Sequence, residues 1–296
     1  MKFQKAVIIA VILLPVLAGV VLSISSRTGS GGRFIQTGSF QKLAVIRVNG
    51  VITESENIVH NLRSYRQNRN IAGVLLRLES QGGGVAPSQE IYNEILSYRD
   101  ENKPLVISMG NLAASGAYYL ASPAERIFAL PGTITGSIGV TFSTPMIREL
   151  SEKIGIEFRT YKAGNLKDIG SPHREITDLE ESIIQSLLDD THDQFIEDIA
   201  RARGLERDSI ELIADGRIFT GRQALQYGLV DTLGGYEDAL DYLRFKTGLP
   251  GDVRIIEEDK KRSLVSTLFT EIIADQIPFI STLFRPAGMY YIFNPN

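Results

Sequence analysis

The sequence predicts an α/β protein with a parallel β-sheet, and two patterns carry that expectation. Short apolar runs rich in β-branched residues occupy 43–48, 73–78 and 105–109, roughly 30 residues apart. Segments with helical apolar spacing, 58–65 and 89–98, lie between them. Strands alternating with helices at this interval form βαβ units, whose strands are parallel. An apolar share of 43% in 296 residues is enough for a sizeable core.

At the N-terminus, Lys2 and Lys5 flank an apolar run over 6–22, broken only by Pro15 and Gly19. The run is near the lower length limit for spanning a bilayer and longer than most signal-peptide cores. The positive-inside rule keeps both lysines in the cytoplasm and sends everything after Ser23 outward. The expectation is a single-pass anchor over 1–25 in the inner (cytoplasmic) membrane, with the bulk of the chain on the extracytoplasmic side. A secretory signal cleaved near Ser23 or Ser25 is the alternative. Residues 26–41, rich in Gly, Ser and Thr, read as a flexible tether, and the folded domain is expected over 42–258.

Within the domain, 126–129 and 138–141 read as further strands. Leu179, Ile183, Leu187, Phe195 and Ile199 mark a long amphipathic helix over 177–203, followed by helices over 208–214 and 236–245. The tail, 259–296, carries an apolar stripe of Leu264, Val265, Leu268, Phe269, Ile272 and Ile273, then Pro278 and the apolar run 289–293. It reads as packing on its own domain, an interface with a neighbouring subunit, or contact with the membrane surface.

Composition narrows the chemistry. A net charge of −4 leaves no electrostatic footprint for nucleic acid. The absence of cysteine excludes thiol catalysis, disulfides and thiolate metal sites, and suits an extracytoplasmic location. His60, His173 and His192 have no metal-ligand spacing between them, so a zinc enzyme is not expected. With three histidines, a Ser-His-Asp triad has little support.

The most informative segment is 111–119, where Ser115 sits among very small residues directly after a strand-like run. A hydroxyl on a tight strand-to-helix junction is exposed to substrate, and the first helical amides stabilise charge built beside it. The bland alternative is a helix-capping serine. The run Gly82, Gly83, Gly84 lets main-chain amides face a cavity, as an oxyanion hole requires. No Lys-Ser/Thr follows it, so a Walker-type phosphate loop fails. Residues 132–140, also small, read as a turn or as the lining of a cleft. A hydroxyl nucleophile needs a base. With no histidine in a suitable setting, Lys162 and Lys167 are candidates, and a lysine serves as base only when its surroundings keep it neutral.

Taken together, 111–119, 82–85, 131–140 and Lys167 with Gly170, Ser171 and Pro172 resemble signal peptide peptidase A, a family of membrane-anchored bacterial serine proteases with the ClpP/crotonase-like fold of repeated ββα/βαβ units. The resemblance runs from about residue 43 to 243. The segment from Ile218 to Asp231 also recurs across that fold. The resemblance implies Ser115 as nucleophile, Lys167 as general base and Ser137 as the serine orienting the lysine. It also implies an oxyanion hole from Gly82, Gly83 and Gly116. Lys162 does not match the dyad position. Glu79 and Gln81 depart from the usual Asn and Pro, and Ala117 from a common Gly; the Glu79 carboxylate is expected to point away from the anion pocket.

The resemblance further implies a Ser-Lys dyad endopeptidase acting on remnant signal peptides and other membrane-associated peptides, with no metal or organic cofactor. Activity should climb from neutral to alkaline pH. Long members carry two copies and share the dyad between them, so this single-copy chain is expected to form a homo-oligomeric ring. Three alternatives stand beside this: a ClpP-class membrane protease acting on a stomatin-like protein, a crotonase-type acyl-CoA enzyme, and a catalytically idle binding module.

Overall fold

The structure is a computed structural model that describes residues 41–257 and the backbone of residues 289–292. The expected anchor and tether, and the tail apart from that short backbone stretch, lie outside the described residues.

The central sheet is parallel along its length. Its order is β10 (Ile255–Glu257), β1 (Lys42–Asn49), β2 (Ile71–Ser80), β4 (Leu105–Ala114), β5 (Arg126–Ala129) and β9 (Thr232–Leu233). Crossovers are made by helices α1 (Glu56–Gln67) and α2 (Val85–Asp100), as the strand–helix spacing requires. Side chains alternate across the sheet. Ala44, Ile46, Val74, Leu76, Ile107 and Met109 face the larger core, which also contains Leu62 of α1, Ile91 and Ile95 of α2, and Phe195 and Ile199 of α5 (Asp178–Arg203). Leu43, Val45, Leu75 and Val106 face the other side, where α8 (Tyr236–Thr247) packs Leu240 and Leu243 on them. A sheet covered on both faces has no wet side, so its strands are mostly apolar, interrupted by single polar residues such as Arg47, Arg77 and Ser108. Each fully buried Leu or Val contributes about 1.5–3 kcal/mol.

Strand β4 is the branch point. Its first half, Val106–Ser108, pairs with β5, and its second half, Leu112–Ala114, pairs with β6 (Ile134–Gly136). Strand β8 (Ile218–Thr220) then runs antiparallel to β6. The sheet therefore splays at the carboxyl end of β4, the end where α/β sheets bind ligands. Helix α3 (Gly116–Ala121) starts there.

A second, three-stranded sheet lies beside this end: β3 (Gly82–Gly84), β11 (Met289–Ile292) and β7 (Thr141–Phe142), with β11 antiparallel to both neighbours. The remaining helices are α4 (Arg148–Lys153), α6 (Arg207–Glu211) and α7 (Gly221–Gln226). Among the described residues no helix is long and apolar enough to cross a membrane.

Three expectations need correction. The strand expected over 138–141 forms only from Thr141, where β7 begins: β6 ends at Gly136, and Gly136 (φ 79°) and Ser137 (φ 53°) turn the chain into left-handed conformations between the two. The glycine run 82–84 is a strand and not only a loop. The helix expected over 208–214 ends at Glu211.

Candidate active site

Ser115 joins β4 to α3 with φ 54° and ψ −121°, outside the usual regions for a residue with a side chain. Such a conformation costs about 1–3 kcal/mol and persists only where its surroundings enforce it. They do so here. The Ser115 N–H donates to Gly136 O at 2.7 Å, and its carbonyl accepts from the Tyr119 N–H at 2.8 Å. Thr135 Oγ1 donates to Ala113 O at 2.7 Å, clamping β6 onto β4 just before the turn. On the far side, α3 is anchored by two buried tyrosines. Tyr118 donates to Leu229 O at 3.0 Å and Tyr119 to Asp198 Oδ2 at 2.5 Å, while the Tyr119 ring meets Phe195 edge-on at 4.9 Å. Burial pushes the Tyr118 phenol well above its ordinary pKa, so it stays a neutral donor.

The Ser115 side chain does not cap α3. It is 1% exposed, and its Oγ has no hydrogen-bond partner among the described residues. A buried hydroxyl is nearly always bonded, so an orphan on a strained turn calls for an explanation. The capping alternative fails on this observation.

The residues expected around Ser115 fall into two groups. Ser137 is brought in by the β4–β6 register, which pairs Ala114 with Gly136; it is buried, and its N–H donates to Arg217 O at 2.8 Å. Gly116 opens α3, so its N–H is a first-turn amide with no partner four residues back. Gly82 and Gly83 lie on β3, against which α3 packs. Gly82 (φ 100°) directs its N–H to Ser80 Oγ at 3.1 Å. Its carbonyl accepts from the Ile52 N–H at 2.9 Å, and the Gly84 N–H donates to Ile52 O at 2.8 Å. By strand alternation the Gly83 N–H and C=O face the opposite way, toward β11, where Gly83 is paired with Tyr291. A Cβ on Gly83 would lie 2.0 Å from Ile52 O, so only glycine fits.

Lys167 is exposed, on a run of turns after Gly164, and makes no hydrogen bond with Ser115 Oγ within the chain. Lys162 is bound elsewhere: its Nζ contacts Asp168 Oδ1 at 2.5 Å and Asn165 O at 2.9 Å. Asp168 also takes Arg174, which reaches Glu180 at 2.5 Å, and Glu180 forms a capping box with Thr177 at the start of α5. The Arg174 and Lys162 hydrogen bonds hold the Asp168 carboxyl well below its usual range, and those of Arg174 and Thr177 lower Glu180 to about 2. The network ties the Lys167 loop to α5 and leaves Lys162 a structural ion-pair partner.

Next to this loop is a cavity of about 350 Å³, bordered by Phe142 and Met146 on one side and Gly170, Ser171, Arg174 and Ile176 on the other. It opens beside β7, at the edge of the slot that β11 occupies between β3 and β7. Among the described residues no group of three or more His, Cys, Asp or Glu could hold a metal ion. The glycine run 82–84 and Ser115 were legible as motifs, the strand and the unbonded hydroxyl only in the structure. The Glu79 carboxylate, which accepts from the Asn111 and Leu112 N–H groups, was marked in the sequence only as a departure from the family pattern.

Comparison with known proteins gives these features a family. The model of peptidase family S49 matches residues 97–249. A Synechocystis sp. protein named as a protease is 41% identical over 219 residues, covering 73% of this chain and 78% of its own. An Enterococcus faecium protein named as the signal peptide peptidase SppA is 36% identical over 232 residues, covering 74% and 67%. A ClpP1 variant from Listeria monocytogenes aligns in structure over 66% of this chain and 94% of its own, at 18% identity and a TM-score of 0.46, below the level that establishes a shared fold. Strand branch, strained serine and glycine strand thus sit in a chain that belongs to peptidase family S49, a serine protease of the SppA type.

Proposed function

We propose that the chain is a Ser-Lys dyad endopeptidase that cuts extended, apolar peptides, remnant signal peptides above all, at the extracytoplasmic face of the inner membrane. The observation that carries this reading is the slot between β3 and β7. It accepts an antiparallel strand beside α3, whose first turn follows a buried Ser115 hydroxyl without a partner. Binding by strand addition takes affinity from the main chain and specificity from side-chain pockets. The cavity next to β7 suits an apolar side chain.

In this reading neutral Lys167 takes the proton from Ser115 Oγ, and the oxygen attacks the peptide carbonyl carbon. The tetrahedral oxyanion is held by main-chain N–H groups of Gly116, Gly83 and Gly82, the last after leaving Ser80 Oγ; one such donor is worth about 3–4 kcal/mol. The protonated lysine then gives its proton to the leaving amine, and the same lysine activates the water that cleaves the acyl-enzyme. Ser137 orients the lysine. The exposed position of Lys167 supports a dyad completed by a neighbouring copy. Ten of the seventeen exposed large apolar side chains among the described residues fall within 146–187, including Ile154, Phe158 and Leu179, around the Lys167 loop. Apolar surface of that extent is characteristic of an interface. An anchor over 1–25 would hold the site beside its substrates.

The test is cleavage of an apolar signal-sequence peptide by the full-length chain, its Ser115→Ala form and its Lys167→Ala form. Both variants should fall by more than about 10³-fold. Retention of activity by either one removes the dyad. The acyl-CoA alternative requires Ser115→Ala to stay active.

A further inference from the structure

The β2–β4 ladder is uneven beside the site. Leu78 pairs with Met109 and Ser80 with Ala113, so a single residue of β2, Glu79, faces residues 110–112 of β4. A bulge of this kind leaves main-chain groups without ladder partners and re-aims the residues beyond it. The Glu79 side chain closes the gap. Its Oε2 accepts from the Asn111 N–H at 3.0 Å and its Oε1 from the Leu112 N–H at 3.1 Å. From the other side, Thr133 Oγ1 donates to Gly110 O at 2.7 Å. Glycine at 110 leaves room for this carboxylate, since a Cβ there would lie 1.8 Å from Glu79 Oε2 and push it off the two amides.

Glu79 is itself held on its far edge. It pairs with Asn49 of β1, and its carbonyl accepts from the Gly50 N–H at 2.9 Å. The next residue, Ser80, holds the Gly82 N–H, and the bulge runs through Ala113 and Ala114 into Ser115. One carboxylate therefore sits where the glycine strand and the serine-bearing strand diverge. Its two bonds are charge-assisted and roughly twice as strong as neutral ones. The carboxylate faces the Asn111 and Leu112 amides of β4.

We infer that Glu79 is a positioning residue of the peptidase site: by bonding both amides of the β4 bulge, it sets the placement of Ser115 relative to Gly82–Gly84. This rests on Ser115 being the nucleophile. The experiment uses the full-length chain in detergent and measures three quantities: the rate at which a fluorophosphonate labels Ser115, kcat and KM on an apolar peptide, and the melting temperature. A displacement on the order of 1 Å costs about 10²-fold in rate, so Glu79→Ala should lose about that factor in labelling rate and in kcat, with KM little changed. Glu79→Gln keeps the length and one acceptor oxygen and should fall only about tenfold, as expected when one of two such bonds is lost. A folded Glu79→Ala that labels at the wild-type rate overturns the inference. So does Glu79→Gln at the wild-type rate, or one as slow as Ala. Should Glu79→Ala not fold, the Gln variant decides by the same criterion. If wild type itself is not labelled at Ser115, the nucleophile reading fails, and this inference falls with it.

Discussion

Substitution of Gly83 by Ala puts the geometry of the glycine strand under direct strain. The added Cβ would lie 2.0 Å from Ile52 O and 2.6 Å from both the carbonyl carbon and the nitrogen of Ile52. All three are backbone atoms, so no side chain can rotate away. Reaching ordinary contact at 3.4 Å needs an opening of about 1.4 Å between β3 and Ile52. Such a shift breaks the bonds from the Ile52 N–H to Gly82 O and from the Gly84 N–H to Ile52 O, and it turns the Gly83 N–H out of the slot. Losing one oxyanion donor costs about 10²–10³-fold in kcat. Overpacking adds a stability loss of about 1–3 kcal/mol. Gly132→Ala is the control, because a Cβ there meets nothing within 4 Å. Peptide cleavage and thermal melting of both variants test this. Gly132→Ala should match wild type, and Gly83→Ala should lose at least about 10²-fold in kcat at a temperature where it is folded. A folded Gly83→Ala with near-wild-type kcat would refute the placement of β3 beside the reacting carbonyl.

Three further outcomes are expected from the same geometry. Because β11 occupies the slot between β3 and β7, a chain ending before Met289 should show a lower KM for peptide with kcat preserved, seen in initial-rate kinetics. Tyr118→Phe strips Leu229 O of its donor in a buried setting and should cost about 1–3 kcal/mol in chemical denaturation. The Asp168 and Glu180 carboxyls have folded-state pKa values below their unfolded ones, so their contribution is complete above about pH 4.5 and is lost as the pH falls towards about 2. Limited proteolysis with an acid-active protease should accordingly cut the 162–176 loop faster across that window, and Arg174→Ala should bring the same sensitivity to neutral pH.

Much of the fold was legible because the sheet is buried on both faces. Runs such as Val74–Leu76 and Leu105–Ile107 are unbroken apolar stretches, and a short uninterrupted run needs no periodicity to be recognised. What escaped was structure whose cause lies far along the chain. Three glycines have no strand preference, and they become β3 only through Ile52 and residues 289–292. The strand expected over 138–141 reflected the apolar Ile138 and Val140. The positive φ of Gly136 and Ser137, imposed by packing against Phe219 and by the bond to Arg217 O, ended β6 before it. At the site, small neighbours marked Ser115, since only they permit so tight a turn. Composition did not distinguish Lys162 from Lys167, and the ion pair of Lys162 with Asp168, six residues on, is set by the loop's fold and not by any local pattern. Glu79 was marked only as a departure from the family pattern; its role depends on a register shift that no local pattern encodes.

The lack of a bond between Ser115 and Lys167 within the chain has a physical consequence that can be measured without a structure of the assembly. In the proposed mechanism a buried hydroxyl with no partner and an exposed lysine with no bond to it are the two halves of the dyad. If every site takes its serine from one copy and its lysine from the next around a ring, Ser115→Ala and Lys167→Ala chains are complementary. Random mixing in equal amounts places an intact serine next to an intact lysine in about a quarter of the sites, since a heterologous ring interface joins each copy head to tail. Two inactive preparations, dissociated and reassembled together, should therefore recover about a quarter of the wild-type rate per chain. A dyad closed within one chain recovers nothing, because every chain then lacks one of its own partners. Background activity after verified co-assembly would place both groups in the same chain. The Lys167 loop would then have to swing inward on binding substrate, against the Lys162–Asp168–Arg174–Glu180 network that fastens it to α5.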